Sequence, residues 1–140
     1  MKICIVGYGR WGKNLYNTLV GLIGKESIFI YDIDLIKNVN NHKDLNVVSS
    51  LDEVASFENI VISTPASTHF DLSKKFLEMG KNIFCEKPVS LSTFEVDELI
   101  KIASKQNVEF LVGHTFLFND AINYIKENIS LLKELNKKEL

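Results

Sequence analysis

The chain is poor in the residues that staple or interrupt a fold. Of its 140 residues only two are proline, Pro65 and Pro88, and only two are cysteine, Cys4 and Cys85. Two thiols without CxxC spacing exclude a disulfide framework and a cysteine-rich zinc site. Both lie in apolar, strand-like runs, so they read as buried free thiols of a reducing compartment, and the expected location is cytoplasmic. No apolar run approaches the roughly 18–20 residues of a membrane span. The first residues lack the layout of a signal peptide, so no membrane partner is expected. An excess of one charge is missing too: 16 basic against 18 acidic residues leave a net charge of −2. With no basic stripe, nucleic acid is not an expected partner. His69 has Ser73 rather than a second ligand one turn on, and no metal site is expected.

What the chain does have is a steady alternation of strand-like and helix-like segments. Lys2–Val6 reads as a strand, Trp11–Gly21 as a helix, Ser27–Tyr31 as a strand and Leu35–Val39 as a short helical stretch. Asn46–Ser49 has the pattern of a further short strand, followed by a helical turn or two over Leu51–Ser56. Asn59–Ser63 is a strand, and a helix starting near Ser67 ends at Gly80, a natural left-handed C′ residue. After the strand Asn82–Cys85, Ser92-Thr93-Phe94-Glu95 has the form of a capping box opening a helix to about Lys105. Val108–Val112 completes the strands, and Asn119 to about Leu135 is the last helix. Strands separated by helices imply right-handed crossovers and a parallel sheet covered on both faces. The expected fold is therefore α/β, a Rossmann-type doubly wound parallel sheet in a single domain with a C-terminal helix.

The first strand runs directly into Gly7-Tyr8-Gly9-Arg10-Trp11-Gly12, and Asp32 ends the second strand about 20 residues beyond Gly12. That order is what a dinucleotide site requires. Gly7 permits the tight turn, Gly9 lets the backbone approach a pyrophosphate, and Gly12 lets the helix pack close to the strand. Asp32 can accept both ribose hydroxyls of an adenosine, or cap the next helix, and the two roles are compatible. A carboxylate there repels a 2′-phosphate, and Ile33-Asp34-Leu35-Ile36 offers no cation to offset it, so NAD is favoured over NADP. Coenzyme A and FAD are alternatives that Asp32 disfavours.

Other candidates follow later strands, at the edge where such folds bind ligands. Ser63, Thr64 and Pro65 lead into Ser67, Thr68 and His69. The hydroxyls either line the cofactor or cap the helix, and His69 is a helix-start polar residue within reach of the site. Lys87, in Glu86-Lys87-Pro88, is either a solvated surface lysine or one whose partial desolvation favours its neutral, proton-accepting form beside a substrate hydroxyl. His114 is either a loop residue or a second polar group of the site, and Trp11 packs beside the cofactor rather than performing chemistry.

The segments GYGRWGKN (7–14), STPASTH (63–69), CEKPVS (85–90) and GHTFLFN (113–119), in this order and spacing, resemble the glucose–fructose oxidoreductase/inositol dehydrogenase (Gfo/Idh/MocA) family. The similarity extends to about Lys133. It implies that Gly7, Tyr8, Gly9, Arg10, Trp11, Gly12 and Asp32 clamp NAD, that Thr64, Pro65, His69 and Glu86 lie along it, and that Lys87 is the active-site lysine. The implied reaction is hydride transfer between a sugar or polyol hydroxyl and NAD. The Trp-Gly-Lys-Asn turn looks most like members acting on nucleotide-linked amino sugars. Family members also carry a second domain that shapes the substrate pocket and mediates oligomers, which this chain stops short of, and Asp120 stands where Pro often follows the Asn. The resemblance implies that residues 1–120 are the NAD(P)-binding Rossmann domain and 121–140 a connecting helix, so that the chain binds NAD without full turnover, meets its sugar substrate through the missing domain, and exposes an apolar patch through which a homo-oligomer is possible. The alternative is a free-standing nucleotide-binding or sensing module.

Overall fold

The computed structural model describes residues 1–38 and 42–136. Five parallel strands, β1 (Ile3–Val6), β2 (Ile28–Tyr31), β3 (Asn59–Ile62), β4 (Asn82–Cys85) and β5 (Phe110–Val112), lie in the order β2-β1-β3-β4-β5. Helices α1 (Arg10–Ile23), α2 (Ile33–Lys37), α3 (Leu51–Val54), α4 (His69–Glu78), α5 (Thr93–Gln106) and α6 (Asp120–Asn136) connect and extend them. The strand order reverses between β1 and β3, and the crevice of a doubly wound sheet opens at that switch point.

Every residue of β1 is buried, as a central parallel strand requires. Alternate residues feed two cores. Cys4, Val6, Ile60, Ile62, Ile83 and Cys85 pack with Phe76 and Leu77 of α4 and Leu99 of α5. Ile3, Ile5, Ile28, Ile30 and Val61 pack on the other face with Tyr16 of α1. Helix α4 stops in a Schellman arrangement: Gly80, at φ +72°, donates to the Leu77 carbonyl and Lys81 to that of Phe76. Gly80 thus takes the role its position suggests.

Three local expectations are corrected. Asn46–Ser49 is not a strand but a single parallel bridge at Val47: the Ile30 N–H donates to the Asn46 carbonyl and the Val48 N–H to that of Ile30, while the Asn46 side-chain amide reaches the carbonyls of Lys25 and Ile28. Among the described residues the strand count is therefore five, not six. The capping box at Ser92 does not form, since its side chain makes no cap bond. Instead the Ser90 hydroxyl donates to the Glu95 carboxylate and accepts from the Ser92 N–H. Nor is the sheet fully covered: on the α1 face the cover ends at β4, leaving Leu111 of β5 exposed at 58%. Phe116, Leu117 and Phe118 in the 3₁₀ turn that follows, and Ile122 and Ile125 of α6, continue this bare apolar strip. The helical stretch expected to reach Val39 is α2, ending at Lys37, and Val39 lies outside the described residues. Among the described residues, no helix is long and apolar enough to cross a membrane, and no cluster of His, Cys, Asp and Glu could hold a metal.

Cys4 and Cys85 are both buried and free. Burial pushes the Cys4 thiol up from the ordinary 9.0 to about 12 and the Cys85 thiol up to about 11. Each thiol stays protonated in the folded chain at a pH where the unfolded chain has ionised it. Stability from this source is therefore complete below pH 9.0 and lost as pH climbs towards about 11 to 12. Urea unfolding across that interval should show the decline, and Cys85→Ala should make it shallower; an unchanged slope would mean that the thiols are not its source.

Candidate nucleotide site

The site begins where β1 turns into α1. Gly7 has φ +96°, and a Cβ there would stand 2.9 Å from the Ser63 and Thr64 backbone, so only glycine fits. A Cβ on Gly12 would land on the Gly7 carbonyl oxygen. Gly9 has open space where its Cβ would be, which leaves the backbone free to meet a ligand. Ser63 locks the turn from β3, its hydroxyl donating to the Gly7 carbonyl at 2.7 Å. Helix α1 starts at Gly9 with no side-chain cap and no acidic residue in its first turn. Its leading N–H groups and dipole thus remain available to an anion.

Asp32, at the end of β2, is held by three backbone donors. Its Oδ2 accepts from Tyr8 N–H at 2.7 Å, and its Oδ1 from Asp34 at 2.9 Å and Leu35 at 3.2 Å. The capping reading of Asp32 is therefore correct, and the same carboxylate ties the glycine turn to β2. It lines a cavity of about 640 Å³ together with Gly7, Gly9, Ser63, Thr64 and Pro65. This volume falls in the range of roughly 300–1,000 Å³ usual for small-molecule sites.

A second cavity of about 320 Å³ adjoins it through Ser63 and Thr64, and is lined by Trp11, His69, Glu86 and Lys87. Glu86 is buried, and a buried carboxylate needs partners. It accepts from the Trp11 indole N–H and, at 3.2 Å, from the Lys87 backbone N–H. Gly113, after β5, leaves the room: a Cβ there would sit 3.0 Å from the Glu86 carboxylate. His69 is 2% exposed, with Nε2 2.7 Å from the Thr64 carbonyl oxygen and Nδ1 2.8 Å from that of Pro88.

The structure thus gathers Gly7, Gly9, Asp32, Ser63, Thr64 and Pro65 round one cavity and Trp11, His69, Glu86 and Lys87 round the next. Gly12 lies beneath the turn, and Tyr8 contributes its N–H while its ring packs edge-on against Tyr16. Arg10 and His114 are exposed and line neither cavity. Two expectations change. Lys87 is exposed at the open mouth, so this chain's own residues do not supply the desolvation expected of it. Thr68, at the N-cap of α4, makes no cap bond; its hydroxyl contacts Thr64 and the Pro65 carbonyl instead. The ties made by Glu86 and His69 to other strand ends were not readable from sequence, because they join residues up to 75 apart.

A glycine turn under an uncapped helix, an acid at the second strand and two joined cavities at the switch point define a dinucleotide-binding α/β domain. The chain belongs to the Gfo/Idh/MocA oxidoreductases: the model of that family, described as an oxidoreductase family with an NAD-binding Rossmann fold, matches residues 1–114. The chain is 32% identical over 133 residues to an uncharacterised oxidoreductase of Streptococcus pneumoniae, covering 93% of this chain and 36% of that protein. It is 30% identical over 129 residues to 2,7-anhydro-N-acetylneuraminate hydratase of Mediterraneibacter gnavus, covering 90% and 34%. An NAD-binding protein of Listeria innocua superposes with a TM-score of 0.75 at 27% identity, over 93% of this chain and 40% of that one. UDP-N-acetylglucosamine 3-dehydrogenase of Acidithiobacillus ferrooxidans superposes with a TM-score of 0.76, over 91% and 41%, and its 24% identity speaks for the fold alone. The chain spans about a third of the length of these curated relatives.

The geometry makes Asp32 a bracket as well as a candidate ribose acceptor. Asp32→Ala should cost about 2 kcal/mol of stability, from the lost helix cap and the orphaned Tyr8 N–H. Urea denaturation measures this directly. A loss near zero would show that water replaces the carboxylate without penalty.

Proposed function

We propose that this chain is the cofactor-holding part of a sugar or polyol oxidoreductase, in which Asp32 sets the adenosine end of NAD and Lys87 marks the reacting end. The observation that carries this reading is the pair of adjoining cavities, with Asp32 in one and Lys87 in the other, meeting at Ser63 and Thr64. The residues suit the group. Gly9 offers an open backbone, the start of α1 offers N–H donors without a competing acid, and Asp32 offers a carboxylate towards ribose hydroxyls. When bound, NAD would supply a hydride acceptor for a carbon bearing a hydroxyl. The chain's own part is to hold and orient: Ser63, Thr64 and Pro65 border the path between the cavities, and Lys87 stands where a hydroxyl proton would leave.

Inositol 2-dehydrogenase of Rhizobium meliloti, 30% identical over 86 residues, supports a polyol or sugar substrate. We assign residues 121–140 to the connection with a substrate-holding part, and the bare apolar strip of β5 and α6 to its cover. Turnover needs the substrate held in near-attack geometry, which the open mouth at Lys87 does not provide by itself. A free-standing nucleotide module, the competing reading, has no use for Lys87.

Lys87→Ala should leave NADH affinity of this chain almost unchanged, as titration calorimetry will show. A large loss would make Lys87 a cofactor-binding residue and remove it from the proton-transfer role.

A further inference from the structure

We infer that His69 is a positioning residue: its ring is a doubly protonated clasp that holds the Lys87-bearing turn against the turn after β3. The inference rests on the preceding reading for the part assigned to Lys87, but the clasp stands on geometry that needs no cofactor. His69 is the first residue of α4, and both ring nitrogens face backbone carbonyl oxygens, those of Thr64 at 2.7 Å and Pro88 at 2.8 Å. A carbonyl oxygen only accepts. A neutral imidazole carries a single N–H, so one of the two contacts would set lone pair against lone pair at hydrogen-bond distance, in a side chain 2% exposed. Only the ring with both protons satisfies both carbonyls.

A buried cation needs compensation. Two charge-assisted hydrogen bonds give part of it. Glu86, buried and lining the same cavity, gives an opposite charge, while Lys87 on that wall and the dipole at the start of α4 oppose it. Asp71 lies in the first turn of α4, and Glu95 of α5 is engaged by Ser90. The consequence falls on Lys87. One neighbour, Glu86, accepts the Lys87 N–H and holds Trp11; the other, Pro88, is gripped by His69. The lysine is thus pinned on both sides by buried groups while its side chain stays free at the mouth.

The test is nitrogen-resolved NMR of histidine-labelled protein, without cofactor, near neutral pH. Both His69 ring nitrogens should carry protons that are protected from exchange. A bare His69 nitrogen under these conditions would overturn the proposal. A second readout uses His69→Gln, which donates from one end of its side chain only and carries no charge. In His69→Gln the Lys87 amide should exchange faster, because the turn that carries it is no longer gripped at Pro88. Unchanged exchange at Lys87 would count against the clasp. Failure of NADH to bind would sink the preceding reading and leave these results standing.

Discussion

The close approach of α1 to the ends of β1 and β3 is the contact on which the site depends. Gly12 lies against the Gly7 carbonyl with no room for a side chain, and Ser63 closes the same carbonyl from the third strand. With the helix seated so low, Tyr8 presents its N–H to Asp32 and Trp11 reaches Glu86. A single Cβ at Gly12 would lift α1 and loosen both ties together. The glycine turn is thus a joint between β1, β2, β3 and β4, as well as a surface shaped for phosphate.

Polar groups are graded along the crevice. At one end Asp32 brings a fixed negative charge, anchored by three backbone N–H groups. In the middle the uncapped start of α1 offers partial positive charge. At the other end buried Glu86 and His69 brace the turn that carries Lys87. Rigid strand ends carry these groups, so their spacing is set by the sheet rather than by loops, and such placement suits a long, flexible ligand that must be held extended.

Much of this was legible in the residues. The apolar runs at Ile3–Val6, Ile28–Tyr31, Asn59–Ile62 and Asn82–Cys85 are strands because each is short, β-rich and bounded by turn residues or charges. The glycine spacing and Asp32 placed the nucleotide crevice, and Gly80 placed a helix end. What sequence did not reveal depends on tertiary distance. Ser92 has the pattern of a cap, yet Ser90 is nearer to Glu95 once the chain bends. Asn46–Ser49 has strand composition, but its pairing stops after a single bridge to Ile30. Leu111 has the alternation of a covered strand, and only the packing shows that it is left exposed. Lys87 sits at the strand end its motif suggests, whereas the side chains that hold its two neighbours, Trp11 on Glu86 and His69 on Pro88, come from other elements.

The central claim is that this fold holds NAD through the crevice at Asp32. Titration calorimetry of the 140-residue chain with NADH and with NADPH tests it most directly. The account predicts saturable NADH binding and weaker NADPH binding, because a 2′-phosphate meets the Asp32 carboxylate. Absence of NADH binding, or NADPH binding as tightly as NADH, would contradict it.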